Sequence, residues 1–144
     1  MPAPPFVWRP TLGPRRTRPL FLARVEAGFP SPADDYVDRA LDLNELCVRN
    51  VPATFFVRAS GDSMTGAGIA SGDLLVVDRS VEPRTGHIVV AVLDGELTVK
   101  QLRLVGRRVI LQPANDDYAP IEAEPDRDLV VWGVVTHVIR TLPR

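Results

Sequence analysis

The chain has 144 residues, 17 basic against 18 acidic side chains for a net charge of −1, and 45% hydrophobic content. This suits one soluble globular domain with an appended segment, long enough to bury a core. It excludes a membrane span, since no apolar run reaches about 18 residues, and the single Cys47 excludes an intrachain disulfide, so a cytoplasmic home is expected.

The charge is unevenly spread. Residues 1 to 27 carry five arginines and one glutamate, or +4, which leaves 12 basic against 17 acidic residues, or −5, in the remainder. An acidic body argues against strong direct DNA binding. Within the first 20 residues, Pro2, Pro4, Pro5, Pro10, Pro14 and Pro19 alternate with Arg9, Arg15, Arg16 and Arg18, which predicts an extended or disordered arm without a helix. Its one apolar cluster, Phe6-Val7-Trp8, is expected to pack on the body or on a partner, with simple exposure as the alternative.

Phe21 to Pro30 reads as an extended segment that another part of the protein can bind. Its main chain can add to a sheet edge, and the small pair Ala27-Gly28 lets another group approach closely. From Asp34 or Asp35 as N-cap, the apolar positions Tyr36, Val37, Ala40, Leu41, Leu43, Leu46 and Cys47 predict an amphipathic helix ending before Pro52. Cys47 reads as a core residue. Strands follow at Thr54 to Arg58, Leu74 to Asp78, His87 to Leu93, Glu96 to Leu104, Arg108 to Gln112 and Leu129 to Ile139. Asp94-Gly95 marks a tight hairpin, and Ser71-Gly72-Asp73, Gly106 and Asn115-Asp116-Asp117 mark further reversals. The fold class is mainly β.

His87 and His137 lack metal-ligand spacing, and Asp62 and Asp73 form no paired-carboxylate signature, so neither a metal nor a cofactor is expected. Two other residues carry chemistry. Ser63 stands in Ala59-Ser60-Gly61-Asp62-Ser63-Met64-Thr65-Gly66, a turn after an apolar strand, and a serine becomes a nucleophile only when a base takes its proton. Sixteen of the 17 basic residues are arginine, and the one lysine is Lys100. Arginine stays protonated, whereas a buried lysine can be neutral and act as a base; a solvated strand charge is the simpler alternative. With an ordinary pKa of ~10.4, about one lysine in 2,500 is neutral at neutral pH, so the base reading requires desolvation.

Ala27-Gly28 in an extended segment, Ser63 in Ser60-Gly61-Asp62-Ser63-Met64 and Lys100 in Thr98-Val99-Lys100, in that order, resemble the LexA-like serine peptidases. The resemblance is greatest to their UmuD-type branch, self-cleaving subunits of error-prone polymerases. Gly28-Phe29-Pro30-Ser31-Pro32-Ala33, Gly72-Asp73-Leu74 and Gly133-Val134-Val135-Thr136-His137-Val138 extend the similarity over most of residues 20 to 140. The resemblance implies a compact, curled antiparallel β domain with one short N-terminal helix and an extended arm. It divides the chain into a cleavable arm, 1–27, and a peptidase and dimerisation domain, 28–144.

It further implies a Ser63–Lys100 dyad that cuts between Ala27 and Gly28, with the backbone N–H groups of Asp62 and Ser63 as oxyanion hole. The partners it implies are a second copy of the chain, a RecA filament on single-stranded DNA as activator, and a UmuC-like Y-family polymerase. Glu26 departs from the small apolar residue often found beside the cut. A LexA-type repressor needs a DNA-binding domain that residues 1–27 are too short to supply, and a signal peptidase needs a membrane anchor. The competing reading from another class is a non-catalytic dimeric module that binds a translesion polymerase.

Overall fold

The computed structural model of the protein describes residues 8–11, 13–21, 37–124 and 128–144. The elements run β1 (Arg18–Phe21), β2 (Val37–Leu41), α1 (Leu43–Cys47), β3 (Thr54–Arg58), β4 (Leu74–Asp78), β5 (Ile88–Leu93), β6 (Glu96–Val105), β7 (Arg108–Gln112), β8 (Ile121–Glu122) and β9 (Leu129–Ile139). β1 and β2 form a two-stranded antiparallel ribbon, and the remaining strands form one sheet in the order β3-β4-β9-β5-β6-β7-β8. Every neighbouring pair in that sheet is antiparallel.

Strand alternation gives the sheet two apolar faces. On β5, Val90 packs with Phe55, Val57, Leu75, Val77 and Trp132, while its neighbours Val89 and Ala91 pack with Leu102, Leu111 and Val134 on the other side. Both faces are therefore core, which is why these strands read as nearly continuous β-branched runs. Shifts of register in β9 opposite β4 and β5 bend this central strand and curl the sheet around it.

The hairpin between β5 and β6 forms where Asp94-Gly95 was expected. Both residues have positive φ, 50° and 83°, the backbone that matches strand twist in a two-residue turn. It sets the register Val89↔Lys100 and so decides where along the sheet the lysine stands.

The N-terminal region differs from the expected helix. Residues Val37–Leu41 pair with β1, and only Leu43–Cys47 are helical, with the Asp42 carboxylate accepting from the Asn44 and Glu45 N–H groups as N-cap. The apolar spacing at Val37, Ala40 and Leu41 fits a helical period, but pairing across the ribbon satisfies that backbone first. None of the α1 residues is buried, so the helix is a surface turn, and Cys47 is half-buried rather than a core residue. Ahead of β1 the arm is held at several points: Trp8 exchanges both backbone hydrogen bonds with Phe56 on the edge of β3, at 3.0 and 2.7 Å, the Arg9 guanidinium lies over the Phe55 ring, Arg15 pairs with Glu45, and Arg16 N–H donates to the Asp42 carboxylate at 2.7 Å. Phe6 and Val7 lie outside the described residues.

Candidate active site

Ser63 lies in the loop from β3 to β4, and the loop is tied down along its length. Its base is closed by Ala59 N–H donating to Asp73 O at 2.8 Å and Gly72 N–H donating to Ala59 O at 2.9 Å. Met64 and Ile69 are buried in the first core cluster, so the residue after Ser63 anchors the turn from below. From the end of β9, Arg140 donates Nε and Nη2 to the two oxygens of Asp73, both at 2.7 Å, and Nη2 also reaches Gly68 O at 3.1 Å. The fork holds the Asp73 carboxyl at a pKa of about 2, chiefly through the Arg140 hydrogen bonds, with the Ala70 N–H adding to it.

A second loop, after β7, meets the same turn. Ala114 N–H donates to Ser63 O at 2.8 Å and Gly66 N–H donates to Ala114 O at 2.7 Å. Gly66 is required by this approach, because a Cβ there would stand 2.5 Å from Ala114 O. Asn115 Nδ2 donates to Asp62 O at 2.9 Å, and the Tyr118 hydroxyl donates to the Asp62 carboxylate. That bond to a charged acceptor raises the Tyr118 pKa.

Lys100, 37 residues away in sequence, brings its Nζ to 2.9 Å from Ser63 Oγ. The residue is 8% exposed. Nζ also donates to Thr98 Oγ1 at 2.9 Å and to Val99 O at 3.1 Å. Desolvation by burial pushes the Lys100 pKa down from its ordinary value, and no carboxylate among the described residues pairs with it to oppose the shift. Three oxygen neighbours suit both protonation states. An ammonium donates to all three; a neutral amine donates its two N–H groups to Thr98 and Val99 and turns its lone pair to the Ser63 hydroxyl.

The two side chains share a cleft of about 470 Å³ lined by Val57, Ala59, Met64, Val90, Leu97 and Val99 among others. One wall is β6, which pairs with β7 only from Gln101 onward, so among the described residues no strand occupies its outer edge over residues 96–100. An open strand edge beside an apolar cleft can take an extended peptide through main-chain hydrogen bonds, with alternate side chains entering the cleft.

No acceptor among the described residues engages the N–H of Asp62 or Ser63. Ala27 and Gly28 lie outside the described residues. His87 accepts from Arg84 N–H at 3.1 Å and His137 lies beside Thr136; no group of three or more metal-ligating side chains occurs among the described residues. Among the described residues, no helix is long and apolar enough to cross a membrane. Tyr118 was not singled out from the sequence, and Asn115 was read only as part of a chain reversal. An Asn-Asp-Asp turn directly after the last residues of a core strand was the available signal, but it does not say which backbone the side chains will bind.

The model of the Peptidase S24-like family matches residues 19–136, nearly all of the sheet and both site residues. Protein ImpA of Escherichia coli is 52% identical over 122 residues, which cover 85% of this chain and 83% of that protein. Protein MucA of Escherichia coli is 49% identical over 120 residues, 83% of this chain and 82% of that protein. LexA repressor 2 of Xanthomonas axonopodis pv. citri is 41% identical over 119 residues; these span 83% of this chain but 55% of the repressor. A curled antiparallel sheet that sets a serine against a desolvated lysine, matched over most of its length, places the chain in the Peptidase S24-like family, on the UmuD-type side of the LexA-like serine peptidases.

Proposed function

We propose that the protein is a self-cleaving serine peptidase that cuts its own arm between Ala27 and Gly28. The observation that carries this reading is the 2.9 Å approach of a desolvated Lys100 amine to Ser63 Oγ. Neutral Lys100 takes the Ser63 proton as Oγ attacks the Ala27 carbonyl carbon. The negative charge that develops on the carbonyl oxygen is met by the N–H groups of Ser63 and Asp62. As the Ala27–Gly28 bond breaks, the Lys100 ammonium returns the proton to the Gly28 nitrogen, leaving Ala27 as an ester on Ser63. Water, deprotonated in turn by Lys100, then hydrolyses the ester and frees the serine.

The substrate strand has to lie along the open edge of β6 for this to occur. Ordering such a segment costs about 1–2 kcal/mol per residue in backbone entropy, so the competent arrangement is a minor state and the observed rate scales with its population. A RecA filament on single-stranded DNA acts by favouring that state. The shortened chain, residues 28–144, then serves as a dimeric subunit of a UmuC-like translesion polymerase in the response to DNA damage. The UmuD-type resemblance supports this context.

The chemistry is tested by a fluorophosphonate, which reports a serine activated by a base. The reading expects an adduct on Ser63 that forms faster as pH rises and is lost in Lys100→Ala. Equal labelling of the two proteins, or labelling elsewhere only, contradicts it.

A further inference from the structure

A peptide unit is planar, so the Asp62 carbonyl and the Ser63 N–H point in fixed opposite directions, and whatever holds one aims the other. The Asp62 oxygen accepts three hydrogen bonds. Two come from within the turn, Thr65 N–H at 3.3 Å and Thr65 Oγ1 at 3.2 Å, and both are long. The third is the shortest and arrives from outside the turn, Asn115 Nδ2 at 2.9 Å. The other end of the Asn115 amide is also committed, because its Oδ1 accepts from Asp117 N–H at 2.9 Å. That contact leaves Nδ2, the donor, facing the Asp62 carbonyl. The following peptide unit is held in the same way, by Ala114 N–H on Ser63 O at 2.8 Å.

From this geometry we propose that Asn115 is a positioning residue for the oxyanion hole, fixing the Asp62–Ser63 peptide plane so that the Ser63 N–H points at the oxygen of the attacked carbonyl. The proposal rests on Ser63 being the nucleophile. Stabilisation of a developing oxyanion depends on donors that are aimed before the charge appears, and Thr65, a neighbour within the turn, moves with the turn and cannot hold it against outside displacement. Asn115 belongs to a separate loop anchored at the end of β7, so it supplies that external reference.

Two variants separate aiming from turn support. Asn115→Asp keeps the acceptor for Asp117 N–H and loses the donor to Asp62 O; Asn115→Ala loses both without adding charge. In the full chain at alkaline pH, both variants are expected to cleave about 10- to 100-fold more slowly than wild type, within the cost of losing one oxyanion donor. In Asn115→Ala the pH at which the rate levels off is expected to stay where it is, because Lys100 is untouched. The second readout is the Ser63 amide resonance of the uncleaved proteins by nitrogen-15 NMR, expected to shift or broaden in both variants.

Cleavage by Asn115→Asp within twofold of wild type, or a Ser63 amide resonance unchanged in both variants, overturns the proposal. If wild type gives no fragment but the resonance responds to both variants, Asn115 holds the Asp62–Ser63 peptide plane, and its oxyanion-hole role falls with the nucleophile assignment.

Discussion

Lys100 Nζ and Ser63 Oγ stand 2.9 Å apart with the amine enclosed by oxygens of Thr98 and Val99 and by no carboxylate among the described residues. Most lysines are held charged by a partner or by water. This one has no carboxylate partner among the described residues and little exposure, so its pKa is lowered, as the proposed role of base requires.

Replacing Lys100 therefore has opposite effects on activity and stability. Its pKa is lower folded than unfolded, so between those two values the unfolded chain binds more protons and stability rises with pH. Below the folded pKa the whole desolvation cost is present. Lys100→Met is expected to abolish cleavage and to raise Tm at neutral pH by about 2–4 °C for each kcal/mol relieved, the gain shrinking as pH approaches the unfolded value. Lys100→Arg should be equally inactive, since a guanidinium keeps its proton. Thermal melts across pH 6 to 10 beside a cleavage assay check both halves.

The Asp73–Arg140 fork gives a pH dependence of the reverse sign. Asp73 titrates at about 2 in the folded protein, below its ordinary value of 3.8. The stabilisation is thus complete above the unfolded value and is lost as pH falls through about 2. Asp73→Asn is expected to lower Tm by several degrees at pH 6, the gap from wild type closing between about pH 4 and pH 2. A constant gap across that range would show that the pair contributes shape and not charge.

Gly66→Ala tests whether the loop after β7 matters to the serine. The added methyl would stand 2.5 Å from Ala114 O, a backbone atom that cannot turn aside, so one loop must move. We expect about 1–3 kcal/mol of destabilisation by overpacking and at least a tenfold loss of cleavage. Chemical denaturation and fragment yield measure the two effects. Wild-type cleavage in a destabilised protein would separate the loop contact from the chemistry.

Much of this organisation was legible in the sequence where structure is local. Thr54–Arg58, Leu74–Asp78, Arg108–Gln112 and Leu129–Ile139 end where their β-branched runs end, and the Asp94-Gly95 turn fixed the strand that carries Lys100. Ser63 and Lys100 could be paired before their distance was known because a lone lysine among arginines is chemically distinct. What stayed hidden depends on distant partners. Val37–Leu41 has helical spacing and becomes a strand only through β1, and the β8 residues Ile121–Glu122 gain their pairing from β7. Asn115 reaches Asp62 across 53 residues, a contact that no local period announces.

Gly28→Lys should leave the fold and the fluorophosphonate reaction of Ser63 unchanged while blocking fragment formation, because a long charged side chain cannot enter beside the attacked carbonyl. Intact mass and circular dichroism suffice for the comparison. An unchanged fragment from this variant would move the cut elsewhere in the arm.

The central claim is tested most directly by incubating the purified full chain at alkaline pH, where Lys100 loses its proton without help, and measuring intact mass beside Ser63→Ala. The account predicts a fragment beginning at Gly28 in wild type and none in the variant. No fragment from wild type, even with RecA, single-stranded DNA and nucleotide added, or the same fragment from both proteins, would contradict it.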